Sequence, residues 1–341
     1  MQLAQYGIID LHLHLDGSLS PEWMIEWAEK QQIKLPTTQV DQLWQYISVP
    51  QDCSSLNDYL RCFDLPISLL QTPEALTSAV KDLLIRLDKQ GLVYAEIRFA
   101  PQFHTQQKMS QQDAIEAALL GLQQGLSATR LFNAKLILCC MRGEDNQAEN
   151  LTTVELTPQY LAQGVAGLDL AGAEALYATE NFAPIFNQAK KLNVPFTLHA
   201  GEAAGAESVQ NALKFEPNRI GHGIRSYESK EVMAQLASKR IPLEMCPCSN
   251  LQTKTIRHLQ DYPLRHYLQH QIVATINTDN MTVSNTKLAQ EFQLLESDYQ
   301  LTQAEAQQLL RNAIEAAFLT KVEKIALRKQ IQQRYPHLLM E

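Results

Sequence analysis

The fold of this chain is decided near its start by the segment IIDLHLHLDGS, residues 8–18. The first half of the segment is typical of a short β-strand, and it ends in two histidines, His12 and His14. Side chains two positions apart on a strand project from the same face, so both imidazoles can reach one metal ion. The segment therefore predicts a strand that carries two metal-ligand candidates at its end.

Three later segments end in the same manner, with a metal-ligating or acid–base residue directly after an apolar, strand-like run. They are HAGE at 199–202, GHG at 221–223 and TDN at 278–280. A lone histidine at the end of an apolar run is more often a core or turn residue than a ligand. Four such ends in one chain indicate a shared site, because so many polar groups would otherwise each need a separate partner.

Eight β-rich runs recur along the chain and alternate with helix-like segments. Some are almost continuously apolar, as in residues 136–140, which is typical of strands buried on both faces of a parallel sheet. The alternation predicts βαβ units and hence an α/β fold of the TIM type, a (β/α)8 barrel. The predicted strands are 8–14, 93–99, 135–140, 165–170, 195–199, 219–222, 241–246 and 272–277.

The longest interval between predicted strands follows the first one. Residues 21 to about 88 occupy this interval and are predicted to form several helices, which we interpret as a helical cap inserted after strand 1 over the barrel mouth. Neither a flexible linker nor a fixed-period repeat divides the sequence. We therefore expect residues 1–341 to form a single barrel domain that includes the cap.

The composition is that of an ordinary globular protein, with 45% hydrophobic and 19% charged residues among 341. The net charge of −8 disfavours nucleic acid and anionic membranes as partners, so we expect a small-molecule ligand and a monomer or weak homo-oligomer. No segment approaches the length of a membrane span, and no basic stretch precedes an apolar run at the N-terminus, which favours a cytoplasmic location. The six cysteines suit no disulfide framework and are expected to be free thiols.

The strand-end residues form a chemically coherent set. In a parallel barrel the carboxyl ends of all strands meet on one face, where the catalytic groups of such enzymes lie. Three imidazoles and one carboxylate map to that face and suit zinc or a similar divalent transition metal: His12, His14, His199 and Asp279. Four protein ligands would make a water the fifth, unless one of these residues only supports the others. The predicted reaction class is metal-assisted hydrolysis, because water on such an ion loses its proton near neutral pH.

Two further residues are predicted to serve acid–base chemistry at this face. Glu202 lies three positions after His199, just past the strand end, where its carboxyl group can exchange a proton with a substrate. His222 lies between two glycines that leave the backbone unhindered, and it is suited to orienting or deprotonating the water. The thiols of CPC at 246–248 are not expected to bind metal, because zinc deaminases with Pro-Cys-x-x-Cys need a second cysteine where this chain has Leu251.

Taken together, the motifs resemble those of the adenosine deaminases of the amidohydrolase superfamily. They are HLHLDGS at 12–18, EIRF at 96–99, CCMR at 139–142, LDLAG at 168–172, HAGE at 199–202, GHG at 221–223 and NTD at 277–279, in family order. The resemblance implies a barrel with one zinc ion per subunit that removes ammonia hydrolytically from C6 of adenosine or 2′-deoxyadenosine. The products would be inosine and 2′-deoxyinosine.

The resemblance also implies roles for the matching residues. Zinc would be bound by His12, His14, His199 and Asp279. Glu202 would protonate purine N1 so that C6 becomes electrophilic, and His222 would position the hydroxide. Asp279 would also accept a hydrogen bond from that hydroxide.

Substrate contacts are implied for four residues. Asp16, with His14 nearby, would meet the ribose 5′-hydroxyl, and the backbone N–H of Gly172 would face purine N3. Many family members carry a second Asp after the metal-binding Asp, whereas this chain has Asn280. An amide donates at any pH, so a hydrogen bond to purine N7 is expected to survive the change.

Two alternatives stay open. The first is a deaminase of a related 6-aminopurine, namely adenine, N6-methyl-AMP or a metabolite of the aminofutalosine type. Asp16 favours a nucleoside, because the related adenine deaminases tend to carry Glu at this position. The second is a non-catalytic nucleoside-binding relative, against which the complete ligand set argues.

Overall fold

Eight parallel β-strands form the inner wall of the protein, whose computed structural model describes residues 3–50 and 52–339. The strands are β1 (Ile9–His14), β2 (Tyr94–Phe99), β3 (Asn133–Met141), β4 (Val165–Ala171), β5 (His199–Ala200), β6 (Ile220–His222), β7 (Leu243–Met245) and β8 (Ala274–Ile276). Neighbouring strands pair in chain order from β1 to β4 and again from β5 to β8. Every residue of β2 and of β4 is buried, as predicted for strands covered on both faces.

Two additional pairings join the two runs of strands into a closed barrel. Leu168 of β4 pairs with Phe196, just before β5, and Leu13 of β1 pairs with Asp279, just after β8. At the second junction the N–H of His14 donates to the carbonyl of Asp279 at 2.8 Å. The eight described strands therefore have no free sheet edge among them. The predicted (β/α)8 barrel is confirmed.

Helices follow the strands and surround the barrel. They are α1 (Pro21–Gln31), α2 (Val40–Ile47), α3 (Leu56–Leu60), α4 (Asp64–Leu69), α5 (Pro73–Lys89), α6 (Gln111–Ser127), α7 (Gln147–Tyr160), α8 (Ala183–Lys191), α9 (Ala206–Leu213), α10 (Lys230–Lys239), α11 (Pro247–Gln252), α12 (Leu264–Gln269), α13 (Leu288–Asp298), α14 (Gln303–Ala316) and α15 (Lys321–Arg334). Local chemistry explains several boundaries. For example, Ser110 and Asp113 exchange hydrogen bonds in a capping box at the start of α6.

Some strands differ in length from the prediction. The segment 195–199 forms regular strand only at its end, in β5, and β7 and β8 are also shorter than predicted. Pro195 has no N–H to donate, and its carbonyl alone pairs, accepting from the N–H of Leu168 at 2.9 Å. β3, in contrast, extends beyond the predicted 135–140 at both ends.

The interval between β1 and β2 is helical throughout most of its length and contains α1 to α5. α5 packs closely against α6, because Gly121 and Gly125 of α6 present no side chain to it. The hydroxyl of Thr77 on α5 reinforces the contact by donating to the carbonyl of Ala117 at 2.9 Å. α3 and α4 instead contribute side chains to a cavity at the carboxyl ends of the strands.

A network of buried charges occupies the barrel interior. Arg98 and Arg219 both bind Glu244, at 2.8 and 2.5 Å. Arg98 also binds Asp169 at 2.9 Å, and Arg219 binds Glu96 at 2.5 Å. A buried charge is tolerated only when it is paired, so these five side chains depend on one another.

All six cysteines are free thiols, as expected, and five of them are buried. The thiol of Cys246 donates to the carbonyl of Glu244 and that of Cys248 to the carbonyl of Ser284. Burial raises the pKa of both thiols, which disfavours the thiolate form that binds metals.

Among residues 3–50 and 52–339, no helix has both the length and the apolar character that crossing a membrane requires.

Candidate active site

Five side chains predicted from the sequence meet at the carboxyl ends of the strands. His12 and His14 lie on β1, His199 begins β5, His222 ends β6 and Asp279 follows β8. The Nε2 atoms of His12 and His199 are 3.1 Å apart, and Nε2 of His14 is 3.4 Å from that of His199. Oδ1 of Asp279 lies 3.5 Å from Nε2 of His12 and 3.4 Å from Nε2 of His14. The barrel therefore brings all five into one cluster.

Buried carboxylates set the tautomers of two of these histidines. Nδ1 of His12 donates to Glu244 at 2.8 Å, and Nδ1 of His199 donates to Asp169 at 3.1 Å. Burial has the largest effect on the pKa of Glu244 and raises it. The charges of Arg98 and Arg219 nevertheless hold this pKa well below its usual range. An ionised carboxylate only accepts, so each Nδ1 carries a proton, and a neutral imidazole then keeps its lone pair on Nε2 for the centre of the cluster.

The donor atoms fit a divalent metal ion. Two nitrogen lone pairs that face each other at 3.1 Å repel unless a cation lies between them. Ligand atoms at about 2.0–2.1 Å around a tetrahedral zinc ion are about 3.3–3.4 Å apart. Within the set of His12, His14, His199 and Asp279, four of the ligand-atom separations are 3.1–3.5 Å, and the ligand atoms of His199 and Asp279 lie within 4.8 Å of each other. Ligand atoms of His222 also lie close, within 4.8 Å of those of His12, His199 and Asp279.

His222 differs from the other histidines in its tautomer. The hydroxyl of Tyr262 donates to Oδ1 of Asn250 at 3.1 Å, so Nδ2 is the end of this amide that faces His222. Nδ2 of Asn250 donates to Nδ1 of His222 at 3.1 Å. Nδ1 is thus an acceptor and Nε2 carries the proton, which makes His222 a donor toward the site without a free lone pair there.

Two residues of the cluster have a rare backbone conformation. His222 and Asp279 have φ angles of 58° and 62°, in the left-handed region that non-glycine residues seldom adopt. Such conformations cost free energy and persist where the surrounding structure holds them, often at functional sites. The turns redirect the chain at the ends of β6 and β8, where the two side chains enter the cluster.

Glu202 lies beside the cluster on the loop that follows β5. Its Oε2 is 3.5 Å from Nε2 of His222, and its side chain is buried. Burial raises the pKa of Glu202 well above its usual range, and the charges of Asp279 and Glu174 act in the same direction. The raised pKa favours the protonated carboxyl group, which can donate a proton to a bound molecule.

A cavity of about 580 Å³ opens onto these residues, which is within the usual range of small-molecule sites. The barrel contributes polar side chains to its floor, among them those of His14, Glu202 and Asp279. Another part of the lining comes from α3, α4 and the turn between them and is largely apolar. This part consists of Leu56, Tyr59, Leu60, Phe63, Asp64, Ile67 and Ser68.

The three remaining residues with predicted substrate contacts, Asp16, Gly172 and Asn280, line the same cavity. Burial raises the pKa of Asp16 to about 6. Gly172 has a φ of +105°, which favours glycine. Oδ1 of Asn280 is buried with no hydrogen-bond partner in the described part of the chain, and a side chain at Gly17 would collide with it. Glycine at position 17 therefore leaves room for the oxygen end of Asn280.

Sequence reasoning missed the residues that support the cluster from behind. The motifs contain Arg98 and Asp169 without indicating what they do, and they omit Glu244 and Asn250. The charged residues could have been found from their position inside apolar strands, because a buried charge must be paired. Asn250 has no comparable feature, because its contact with His222 depends on the folded chain.

Comparisons with known proteins agree with this geometry. A family model described as adenosine deaminase matches residues 8–334. The adenosine deaminase of Haemophilus ducreyi is 65% identical over 340 residues, covering 99% of each chain. The solved adenine deaminase of Arthrobacter aurescens has a TM-score of 0.86 at 25% identity, covering 96% of this chain and 99% of that one. An amidohydrolase of Burkholderia ambifaria with bound Zn has a TM-score of 0.86 at 19% identity, covering 99% and 93%.

The family match spans nearly the whole barrel, from β1 to the end of α15. The similarity to the Haemophilus ducreyi relative extends over 99% of each protein. The resemblance inferred from the motifs is confirmed, and the cluster at the strand ends is a candidate metal centre. This chain belongs to the adenosine deaminase family.

Proposed function

We propose that this protein hydrolyses adenosine and 2′-deoxyadenosine to inosine and 2′-deoxyinosine with release of ammonia, a reaction of purine salvage. One observation carries the proposal: a single cavity contains metal-ligand candidates, the buried Glu202 and the nucleoside-contact candidates Asp16, Gly172 and Asn280. The 65% identical relative from Haemophilus ducreyi is an adenosine deaminase, which supports the same reaction.

The metal ion is proposed to be Zn²⁺, one per subunit, held by His12, His14, His199 and Asp279. When bound there, zinc supplies a nucleophile at neutral pH by lowering the pKa of water. Three imidazole nitrogens and one carboxylate oxygen support this choice, because zinc accepts both ligand types. The Burkholderia ambifaria amidohydrolase, which shares the fold, was solved with bound Zn.

Glu202 and His222 are proposed to direct the proton transfers. Glu202 donates its proton to purine N1, which draws electrons from C6 and opens it to attack by water. Nε2–H of His222 donates to the attacking oxygen and orients it toward C6, a role supported by its tautomer. A C6–O bond forms and the C6–N bond to the amino group breaks. N1 keeps the proton donated by Glu202, one proton of the water goes to the departing ammonia, and the other returns to Glu202.

The remaining contacts are proposed to orient the nucleoside. Asp16, with His14, accepts a hydrogen bond from the ribose 5′-hydroxyl, and the backbone N–H of Gly172 donates to purine N3. Nδ2 of Asn280 donates to purine N7, which is supported by the enclosure of its Oδ1 against Gly17. Such positioning is worth as much to the rate as the acid–base groups, because it holds C6 where water can attack.

The deciding experiment is an assay of ammonia release by the purified protein, with metal content measured on the same sample. The substrates are adenosine, 2′-deoxyadenosine, adenine, N6-methyl-AMP and aminofutalosine. We expect the largest kcat/KM with the two nucleosides and about one zinc per chain. A preference for adenine or for a nucleotide would replace the proposal with the corresponding deaminase, and metal-loaded protein without turnover would indicate a binding protein.

A further inference from the structure

Glu174 lies in the loop after β4, two positions beyond Gly172, and is only 2% exposed. Its carboxylate accepts five hydrogen bonds. Oε1 accepts from Gly201 N at 2.7 Å and Ser208 Oγ at 2.5 Å, and Oε2 accepts from Glu202 N at 3.0 Å, Ala203 N at 2.7 Å and Ala204 N at 3.1 Å.

Four of these donors belong to one loop, which leaves β5 after Ala200 and enters α9 at Ala206. Consecutive backbone N–H groups that point into one space form a cradle for an anion. Here the cradle is filled by a carboxylate of the same chain. The N–H groups of buried loop residues need partners, so the loop conformation depends on Glu174.

This loop carries Glu202, the residue proposed to protonate the substrate. Glu202 has its own N–H bound to Glu174 at 3.0 Å, in the middle of the four loop contacts. The cavity wall includes Ala173 and Glu202, whereas Glu174 lies behind them and is nearly inaccessible. Glu174 therefore touches the part of the backbone that aims the acid, without facing a bound nucleoside.

A second set of contacts anchors Glu174 to the neighbouring elements. The hydroxyl of Ser208 on α9 donates to Glu174 and also lies 3.1 Å from Oγ1 of Thr179. Arg142, directly after β3, donates to Thr179 and to the carbonyl of His199. The Glu174 contact is thus connected through hydrogen bonds to the strand that bears a metal-ligand candidate.

We propose that Glu174 is a positioning residue for Glu202: its carboxylate holds the backbone of residues 201–204 so that the Glu202 carboxyl group meets the substrate. This inference rests on the proposed function, because it assigns Glu174 to the proton transfer of that reaction. A misplacement of about 1 Å can cost roughly 10²-fold in rate, so the effect falls on kcat more than on substrate binding.

Three variants separate positioning from general stabilisation. Glu174→Ala removes all five hydrogen bonds. Glu174→Gln can keep its carbonyl oxygen on the three Oε2 donors and place its amide toward Ser208, whose hydroxyl can accept, so that only the Gly201 contact is lost. Ser208→Ala is the matched control, because it removes one contact from the same carboxylate and leaves the four loop contacts in place.

The readouts are kcat and KM for adenosine, metal content, thermal stability and amide hydrogen exchange of residues 201–204. We expect kcat of Glu174→Ala to fall by roughly 10²-fold, with KM and metal content close to wild type and faster exchange in the loop. Glu174→Gln should recover most of the lost kcat, and Ser208→Ala should behave like wild type.

Several results would overturn the proposal. The first is a kcat of Glu174→Ala within about threefold of wild type, and the second is an unchanged rate of amide hydrogen exchange at residues 201–204. The third is a joint loss of kcat, metal content and thermal stability that is equally large in Glu174→Ala and Glu174→Gln. If the Ala variant does not fold, Glu174→Asp takes its place, because its shorter side chain draws the carboxylate away from the loop N–H groups. Its kcat should fall below that of Ser208→Ala, and equal kcat values would contradict positioning. A wild-type protein inactive on every purine substrate refutes the proposed function, and with it the catalytic part of this inference.

Discussion

Nδ2 of Asn250 donates to Nδ1 of His222 at 3.1 Å, and this hydrogen bond sets the tautomer of the histidine. Tyr262 donates to the oxygen end of the same amide at 3.1 Å, so the nitrogen end is the one that faces His222. His12 and His199 face carboxylates instead and therefore present lone pairs at Nε2. The choice between a proton donor and a metal ligand thus depends on which group faces Nδ1.

Replacing Asn250 with Asp tests this relationship. The carboxylate accepts a hydrogen bond from His222 only if Nδ1 carries the hydrogen, so the hydrogen moves from Nε2 to Nδ1 and Nε2 no longer donates to the attacking oxygen. We expect kcat to fall by about 10²–10⁴-fold while metal content is retained, measured by steady-state kinetics and metal analysis. Tyr262→Phe is the control, because it spares the contact between Asn250 and His222 and should lose far less activity. A fully active Asn250→Asp enzyme would show that the tautomer is unimportant.

Variants of the proposed acid and variants of the metal ligands should differ in whether they retain metal. Glu202→Gln keeps the shape and polarity of the side chain but has no carboxyl proton, so it should retain metal and lose kcat by about 10²–10⁴-fold. His12→Ala removes a ligand candidate and should lose metal as well as activity. Metal analysis and turnover on the same preparations check both. Near-normal rates in both variants would refute the roles assigned to these residues.

The carboxylate of Asp169, which accepts from Nδ1 of His199, should affect the affinity for metal without binding the ion itself. Asp169→Asn weakens the hydrogen bond to Nδ1 of His199, and the affinity for zinc should fall by about 10- to 100-fold in competition with a chelator. Glu96→Gln is the matched control, because Glu96 belongs to the same buried network through Arg219. The control should reduce stability with little change in metal affinity. Equal losses of affinity in the two variants would point to general destabilisation.

The contact between Asn280 and purine N7 can be isolated with a modified ligand. 7-Deazaadenosine lacks the acceptor nitrogen and should bind about 3- to 10-fold more weakly than adenosine, the usual contribution of one hydrogen bond. In Asn280→Ala the two ligands should bind alike, since neither can then use the amide. Competitive inhibition constants provide the measurement. Equal affinities in the wild-type protein would leave Asn280 without this role.

We expect the stability of the protein to depend on pH through Glu291, a residue that is not among the metal-ligand candidates. It is fully buried on α13 and accepts from Thr286 Oγ1 at 2.7 Å and Cys248 N at 2.9 Å. Burial raises the pKa of Glu291 from 4.5 to about 8, so between these values the folded protein holds a proton that the unfolded chain releases. Its contribution to stability is therefore complete below about pH 4.5 and is lost as the pH rises through about 8.

Glu291→Gln should remove this dependence, because glutamine stays neutral and can serve both contacts. Across roughly pH 5 to 9, the Tm of the wild-type protein is expected to fall relative to that of the variant. Thermal unfolding at a series of pH values measures the difference. Two curves that run parallel over the whole range would contradict the raised pKa.

Much of the fold could be predicted because the information is local. A period of two places His12 and His14 on one strand face, and apolar runs mark where each strand ends. The barrel and the family are confirmed, although strand lengths are less accurate, as at Pro195, where the missing N–H limits regular pairing. The roles of individual site residues stay predictions until the variants are measured.

The supporting residues could not be predicted in the same way, because their contacts join distant parts of the chain. Glu244 lies 232 positions from His12, and Glu174 lies 28 positions from the N–H of Glu202. By itself the sequence determined the strands, the polar residues at their ends and the family. Only the closed barrel decided which nitrogen of each imidazole carries the proton and where the loop at 201–204 is held. Proton positions and loop conformations follow from hydrogen-bond partners, and those partners come from other strands and loops.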